Sequence, residues 1–163
     1  MSSTRSILLV AAALGWTAPR ADGAILRVPS AFPTIRGAAA VAVAGDTILV
    51  APGVYDESHE PGYPGVDLRG GLALISEEGA LATTVLGPVL TLGSDPPHLG
   101  CLVRGFTFGP GNDWNGPAVS NDGQGTGISE CQFLGTAFMG ESFNSTRSLS
   151  VRDCKLDGYS IPR

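Results

Sequence analysis

The chain has 163 residues, one domain's worth, with 10 Lys and Arg against 15 Asp and Glu for a net charge of −5. That balance, with only 15% charged residues, excludes nucleic acid or an anionic membrane as the main partner, since both need clustered cations. The 43% apolar content can fill a core, and 23 glycines, 12 prolines and a single lysine (Lys155) suit a turn-rich β-protein.

Residues 1–23 read as a secretory signal. Arg5 supplies the charge, Ile7 to Trp16 is an apolar run too short to span a bilayer, and Ala21 and Gly23 are the small residues of a cleavage site before Ala24. The expected address is secreted, extracellular or cell-surface, with the periplasm as a bacterial equivalent and no stable membrane span after cleavage. Residues 24–163 form the domain.

Phe32 to Ala44 then reads as a helix. Pro33 suits its first position, Ile35, Ala38, Ala39 and Ala42 recur at helical spacing, and Gly45 comes next as a C-cap. The expected helix, about 33–44, would cover the open end of the β-structure that begins at Asp46.

From Asp46 onward the chain repeats itself. Leu102–Phe108, Gly127–Phe133 and Ser150–Leu156 share one pattern, so that Val103, Ile128 and Val151 lie 25 and 23 residues apart. Phe106, Cys131 and Cys154 keep the same spacing, as do Phe108, Phe133 and Leu156. Upstream, Ile48 to Leu74 is 26 residues and Leu74 to Val103 is 29. Shorter apolar runs, Val66–Leu68, Thr84–Leu86 and Val89–Leu92, fall between these anchors, separated by turn residues. Periods of this length holding two or three strands predict an all-β solenoid, a right-handed parallel β-helix of about five coils. Equivalent residues would stack, with Cys131 beside Cys154 and Phe108 beside Phe133 in the interior. A β-sandwich and a leucine-rich horseshoe are the alternatives, the latter lacking its Leu and Asn ladder. No C-terminal cap is legible after Ile161-Pro162-Arg163, and the expectation is the front of a longer protein.

Val28-Pro29-Ser30-Ala31-Phe32-Pro33-Thr34-Ile35, with Gly45-Asp46-Thr47-Ile48-Leu49-Val50-Ala51-Pro52-Gly53-Val54-Tyr55, resembles the opening of the right-handed parallel β-helix proteins of the pectin-lyase-like superfamily. The resemblance implies a capping helix and first coil here. It says little about activity, because the superfamily holds lyases, esterases, hydrolases, epimerases, tailspikes and proteins with no known reaction.

Gly53-Val54-Tyr55-Asp56-Glu57 resembles the Gly-x-Tyr-x-Glu signature of pectinesterases, but the glutamine-rich and later aspartate motifs of that family are absent. The polygalacturonase motifs and the pectate-lyase Arg-x-Pro-x-x-Arg pattern are absent as well. Adjacent carboxylates such as Asp56/Glu57 and Glu77/Glu78 point to opposite faces of a strand and do not converge by themselves.

Arg104 and Arg152 occupy the same coil position, with Ser129 between them. They would lie on one outer face roughly 10 Å apart, where guanidinium groups could grip uronate carboxylates bidentately; the alternative is a plain solvated face. Asn112, Asp113, Asn115, Asn121 and Asp122 offer oxygen donors that could hold Ca2+, with Asp113 and Asp122 as the carboxylates, although these are also ordinary turn residues. No other cofactor is expected. Trp114, in the same loop, is the candidate sugar platform. His59 and His98 read as plain surface residues, and Asn144-Ser145-Thr146 is a glycosylation sequon. Three cysteines match no zinc spacing and leave room for one disulfide.

The functional expectation is therefore a secreted, non-catalytic module that engages extracellular polysaccharide or acts as a surface scaffold, with surface proteins as further partners. The rival is a polysaccharide lyase or glycoside hydrolase acting on uronic-acid polymers, with no catalytic residue assigned.

Overall fold

A computed structural model describes residues 23–57, 65–87, 89–110, 118–135, 138–141 and 148–157. Residues 1–22 of the expected signal (1–23), the sequon at Asn144 and residues 158–163 lie outside the described residues.

The chain winds as a parallel β-helix, as the repeat predicts. A leading strand β1 (Ile25–Val28) and a helix α1 (Ile35–Val41) precede four full coils. Coil 1 holds β2 (Thr47–Val50), β3 (Gly53–Asp56) and β4 (Gly65–Leu68); coil 2 holds β5 (Ala73–Ser76), β6 (Thr83–Leu86) and β7 (Val89–Leu92). Coil 3 holds β8 (Leu102–Arg104), β9 (Thr107–Gly109) and β10 (Ala118–Asn121). Coil 4 holds β11 (Thr126–Ser129), β12 (Gln132–Leu134) and β13 (Phe138–Glu141), and a fifth coil begins with β14 (Leu149–Arg152) and β15 (Lys155–Asp157). Every pairing is parallel. The strands form three sheets: A, ordered β1-β2-β5-β8-β11-β14; B, ordered β3-β6-β9-β12-β15; and C, ordered β4-β7-β10-β13.

The register joins the sequence anchors. Ile48, Leu74, Val103, Ile128 and Val151 are successive partners in sheet A. Tyr55, Val85, Phe108, Phe133 and Leu156 are successive partners in sheet B. Because side chains alternate along a strand, one residue of each pair enters the coil and is covered by the coils above and below. Ile48, Leu74, Val103, Ile128, Phe106, Phe108 and Phe133 are all buried. The Phe108 and Phe133 rings stack with centroids 5.2 Å apart, and Phe106 leans on Phe108 at 5.8 Å.

The helix is shorter than expected and starts differently. Pro33 lies just outside it: Thr34, in extended conformation, is the N-cap, and its hydroxyl accepts from the Gly37 N–H at 3.0 Å. A residue that must cap takes an extended backbone, so the helix cannot begin one position earlier. It ends at Ala42, whose own backbone is extended, and Gly45 (φ +98°) instead turns the chain into β2. The predicted face is the one used: Ile35, Ala38, Ala39 and Ala42 are buried over the first coils, with α1 packed chiefly on β4. Among the described residues, no helix is long and apolar enough to cross a membrane.

Candidate functional site

The turns from sheet A to sheet B decide the shape of the outer surface. Four of them take two residues: Ala51-Pro52, Gly105-Phe106, Glu130-Cys131 and Asp153-Cys154. In the last three the first residue is left-handed, with φ of +80°, +54° and +52°. Coil 2 departs from this rule and spends six residues, 77–82, on the same corner. Gly79 N–H donates to Ser76 Oγ at 3.0 Å, and Ser76 and Thr83 share a 2.7 Å hydroxyl bond, which folds the longer turn onto its own coil.

That turn forms one wall of a polar cavity of about 410 Å3 lined by Ile75, Glu77, Glu78, Gly79, Arg104 and Glu130. Arg104 stands opposite Ile75 and Ser129 in the ladder, and Ser129 stands opposite Arg152. Val103 and Ile128 face inward, so alternation turns Arg104, Ser129 and Arg152 outward. The two arginines are two ladder steps apart, roughly 10 Å. Arg104 Nη2 meets Glu130 Oε1 at 3.0 Å, both side chains half exposed. Arg152 Nε donates to Ser150 Oγ at 3.2 Å. At the N-terminal end of this edge, Arg27 Nη1 donates to Glu77 Oε1 at 2.6 Å. The result is an outer edge of alternating cations and carboxylates.

Sequence reasoning singled out Arg104 and Arg152 and passed over Glu130 and Arg27; it read Glu77 and Glu78 as strand neighbours on opposite faces, whereas both lie in the turn after β5 and line the same cavity. One signal was present: the 29-residue step from Leu74 to Val103 exceeds the neighbouring steps of 25 and 26, and the turn within it is four residues longer than its counterparts.

Asp122 is not brought to the arginines. It lies at the corner entering β11, a whole strand from Ser129, where its N–H donates to Leu92 O at 2.7 Å. Asn121 beside it is buried and committed to its turn: Oδ1 accepts from Gly123 N–H at 3.1 Å and from the Thr126 hydroxyl at 2.7 Å, and Nδ2 donates to Gly123 O at 3.2 Å. Trp114, Asp113, Asn112 and Asn115 lie outside the described residues, as do His59, Tyr63 and Tyr159. Among the described residues, no group of three or more His, Cys, Asp or Glu side chains could hold a metal ion.

The Gly-x-Tyr-x-Glu segment has a structural task. Glu57 is buried, and its Oε1 accepts from the Ile35 N–H at 2.8 Å while Oε2 receives the Arg36 N–H at 3.4 Å. A carboxylate from the end of β3 thus satisfies two of the four open N–H groups at the start of α1. The Tyr55 hydroxyl donates to Ala51 O at 2.8 Å, and burial, helped by the Glu77 charge, pushes its phenol above the usual range. His98 is half-buried rather than a plain surface residue. It has φ +55°, its ring nitrogen Nδ1 lies 3.1 Å from Gly93 O, and its carbonyl accepts from Gln124 N–H at 2.7 Å.

A second cavity, about 340 Å3, lies between α1 and β4 with Arg36, Asp67 and Arg69 at its rim. The fold and these surfaces define a parallel β-solenoid. No protein-family model, curated protein or solved structure matches the chain.

Proposed function

We propose that this is a secreted, non-catalytic β-helix module of the pectin-lyase-like superfamily that engages anionic extracellular polysaccharide along the outer face of sheet A. The observation that carries the reading is the register row Arg104–Ser129–Arg152 beside the polar cavity of coils 2–4. A solenoid repeats its outward positions at fixed intervals, and an extended uronate polymer repeats its carboxylates in the same way. Arginine suits that ligand because its planar fork takes a carboxylate bidentately. The Arg104–Glu130 pair does not block it. A half-exposed ion pair is worth about 0–1 kcal/mol, so exchanging Glu130 for a ligand carboxylate costs little. Secretion rests on the apolar run at residues 7–16, and the superfamily rests on the motif at residues 28–55.

The test is a panel of neutral and uronate-containing polysaccharides offered to the purified protein with and without calcium, with binding and product formation read together. Binding to the anionic polymers is expected, weakened about tenfold by the double change Arg104→Ala/Arg152→Ala and weakened again by salt, with Trp114→Ala as a second control. Unsaturated or shortened products would overturn the non-catalytic reading. Binding unchanged in the double variant would overturn the assignment of the face.

A further inference from the structure

We propose that Cys131 and Cys154 are a disulfide pair that staples the fifth coil to the fourth, and that Cys101 is the thiol left over. Three cysteines allow three pairings, and the repeat spacing sets Cys131 beside Cys154. The register agrees. Ile128 pairs with Val151 and Ser129 with Arg152 on one side of the turn, and Gln132 pairs with Lys155 and Phe133 with Leu156 on the other. Cys131 therefore lies directly across from Cys154.

The two turns also share one backbone path. Each cysteine comes after a left-handed residue, Glu130 (φ +54°) or Asp153 (φ +52°). Each thiol contacts the carbonyl two residues earlier: Cys131 Sγ lies 3.1 Å from Ser129 O, and Cys154 Sγ lies 3.2 Å from Arg152 O. Both side chains thus leave the chain in the same direction, and the thiols adjoin. Neighbouring strands lie about 4.8 Å apart, inside the ~4.4–6.8 Å window that a disulfide requires between Cα atoms. Cys101 is placed elsewhere. It sits at the corner entering β8, its thiol directed at Leu68 O (3.5 Å) and Arg69 O (3.1 Å), and its ladder neighbours Leu72 and Thr126 carry no sulfur.

Accessibility sets the order of events. Cys131 is buried and Cys154 half-buried, so an oxidant meets Cys154 first. With glutathione disulfide as oxidant, the Cys154 thiolate attacks one glutathione sulfur, the S–S bond breaks, and one glutathione thiolate leaves. The Cys131 thiolate then attacks Cys154 Sγ in the mixed disulfide, and the second glutathione thiolate leaves. Both leaving thiolates take up the protons given up by the two cysteines. Two thiols are oxidised, and one glutathione disulfide is reduced to two glutathione molecules. The staple joins the last two described coils. Among the described residues β14 and β15 pair on one side only, and Val151 and Leu156 remain 39% exposed.

The disulfide does not depend on polysaccharide binding and is tested apart from it. The purified protein is equilibrated in glutathione redox buffers, and its peptides are mapped by mass without reduction. The expected product weighs two hydrogens less, contains a Cys131–Cys154 linked peptide, and leaves Cys101 as the thiol that alkylates only after denaturation. The Cys101→Ser variant forms the same link. Tryptic cleavage after Arg152 and Lys155 slows about tenfold on oxidation. A stable glutathione adduct on Cys154, a covalent dimer through Cys154, or any link to Cys101 would overturn the proposal.

Discussion

At the N-terminal end of the solenoid Ile35, Ala38 and Ala42 of α1 are fully buried, and Glu57 ties the first turn of the helix to coil 1. At the other end of the described coils Val151 and Leu156, which stand in the same ladders as Ile128 and Phe133, keep 39% of their surface exposed. Val151 and Leu156 carry the same apolar pattern as the covered coils; what differs is that, among the described residues, strands pair with theirs on one side only. A coil's apolar row is therefore a core only between two covers, and stability should be graded along the axis, as in other repeat architectures. Four perturbations probe that gradient.

The largest contrast is within one ladder. Phe133→Ala should cost about 3–5 kcal/mol, because it opens a cavity next to Phe108, whereas Leu156→Ala one step along should cost about 1 kcal/mol or less. Chemical denaturation of the two variants measures the difference, and equal costs would refute graded burial.

At the closed end, Glu57→Ala strands the Ile35 and Arg36 N–H groups beneath α1. A loss of about 2–3 kcal/mol is expected, with the helix detaching first, read by denaturation and by loss of helical ellipticity.

The third perturbation uses pH. Burial pushes the Cys131 thiol from about 9 up to about 11. Between those values the unfolded chain gives up its proton and the folded chain keeps it, so stability is present below pH 9 and falls as pH rises toward 11. In the reduced protein the fall attributable to this thiol should be about 2–3 kcal/mol, measured as the difference between wild type and Cys131→Ser. A parallel pH dependence in the two proteins would contradict the buried thiol.

The smallest effect is expected in the last described coil. Asp153 holds φ +52°, a conformation that favours glycine. Asp153→Gly should stabilise the reduced protein by about 0.5 kcal/mol, once the greater freedom of glycine in the unfolded chain is set against the relief of strain. A destabilisation in a careful melt would show that the Asp153 side chain has a further role.

Much of the fold was legible because stacking forces equivalent residues into equal spacing. Val103, Ile128 and Val151, and Phe108, Phe133 and Leu156, mark the ladders by their spacing alone. Strand β1 was not seen: Ile25–Val28 lies outside the repeat, and its partner β2 is found only across α1. The helix starts two residues later than Pro33 suggests, because the Thr34 hydroxyl bond makes Thr34 the cap and Ile35 the first helical residue. Of the candidate site, the Arg104–Arg152 row comes from periodicity. The carboxylates beside it do not: Glu77, paired with Arg27, sits in the six-residue turn that breaks the period, and Glu130 holds a regular two-residue turn where the neighbouring coils carry Gly105 and Asp153. Glycine spacing was equally silent about one corner. A Cβ on Gly93 would meet Gly123 Cα at 2.4 Å, a contact between coils that only the stacked backbone reveals.

Hydrogen exchange read by mass spectrometry, resolved to single coils on the reduced protein, tests graded stacking most directly. Graded stacking predicts strongest protection in β8, β9, β11 and β12, around the Phe106, Phe108 and Phe133 cluster, and weakest protection in β14 and β15. Uniform protection from β2 to β15, or protection greatest in the last two strands, would contradict it.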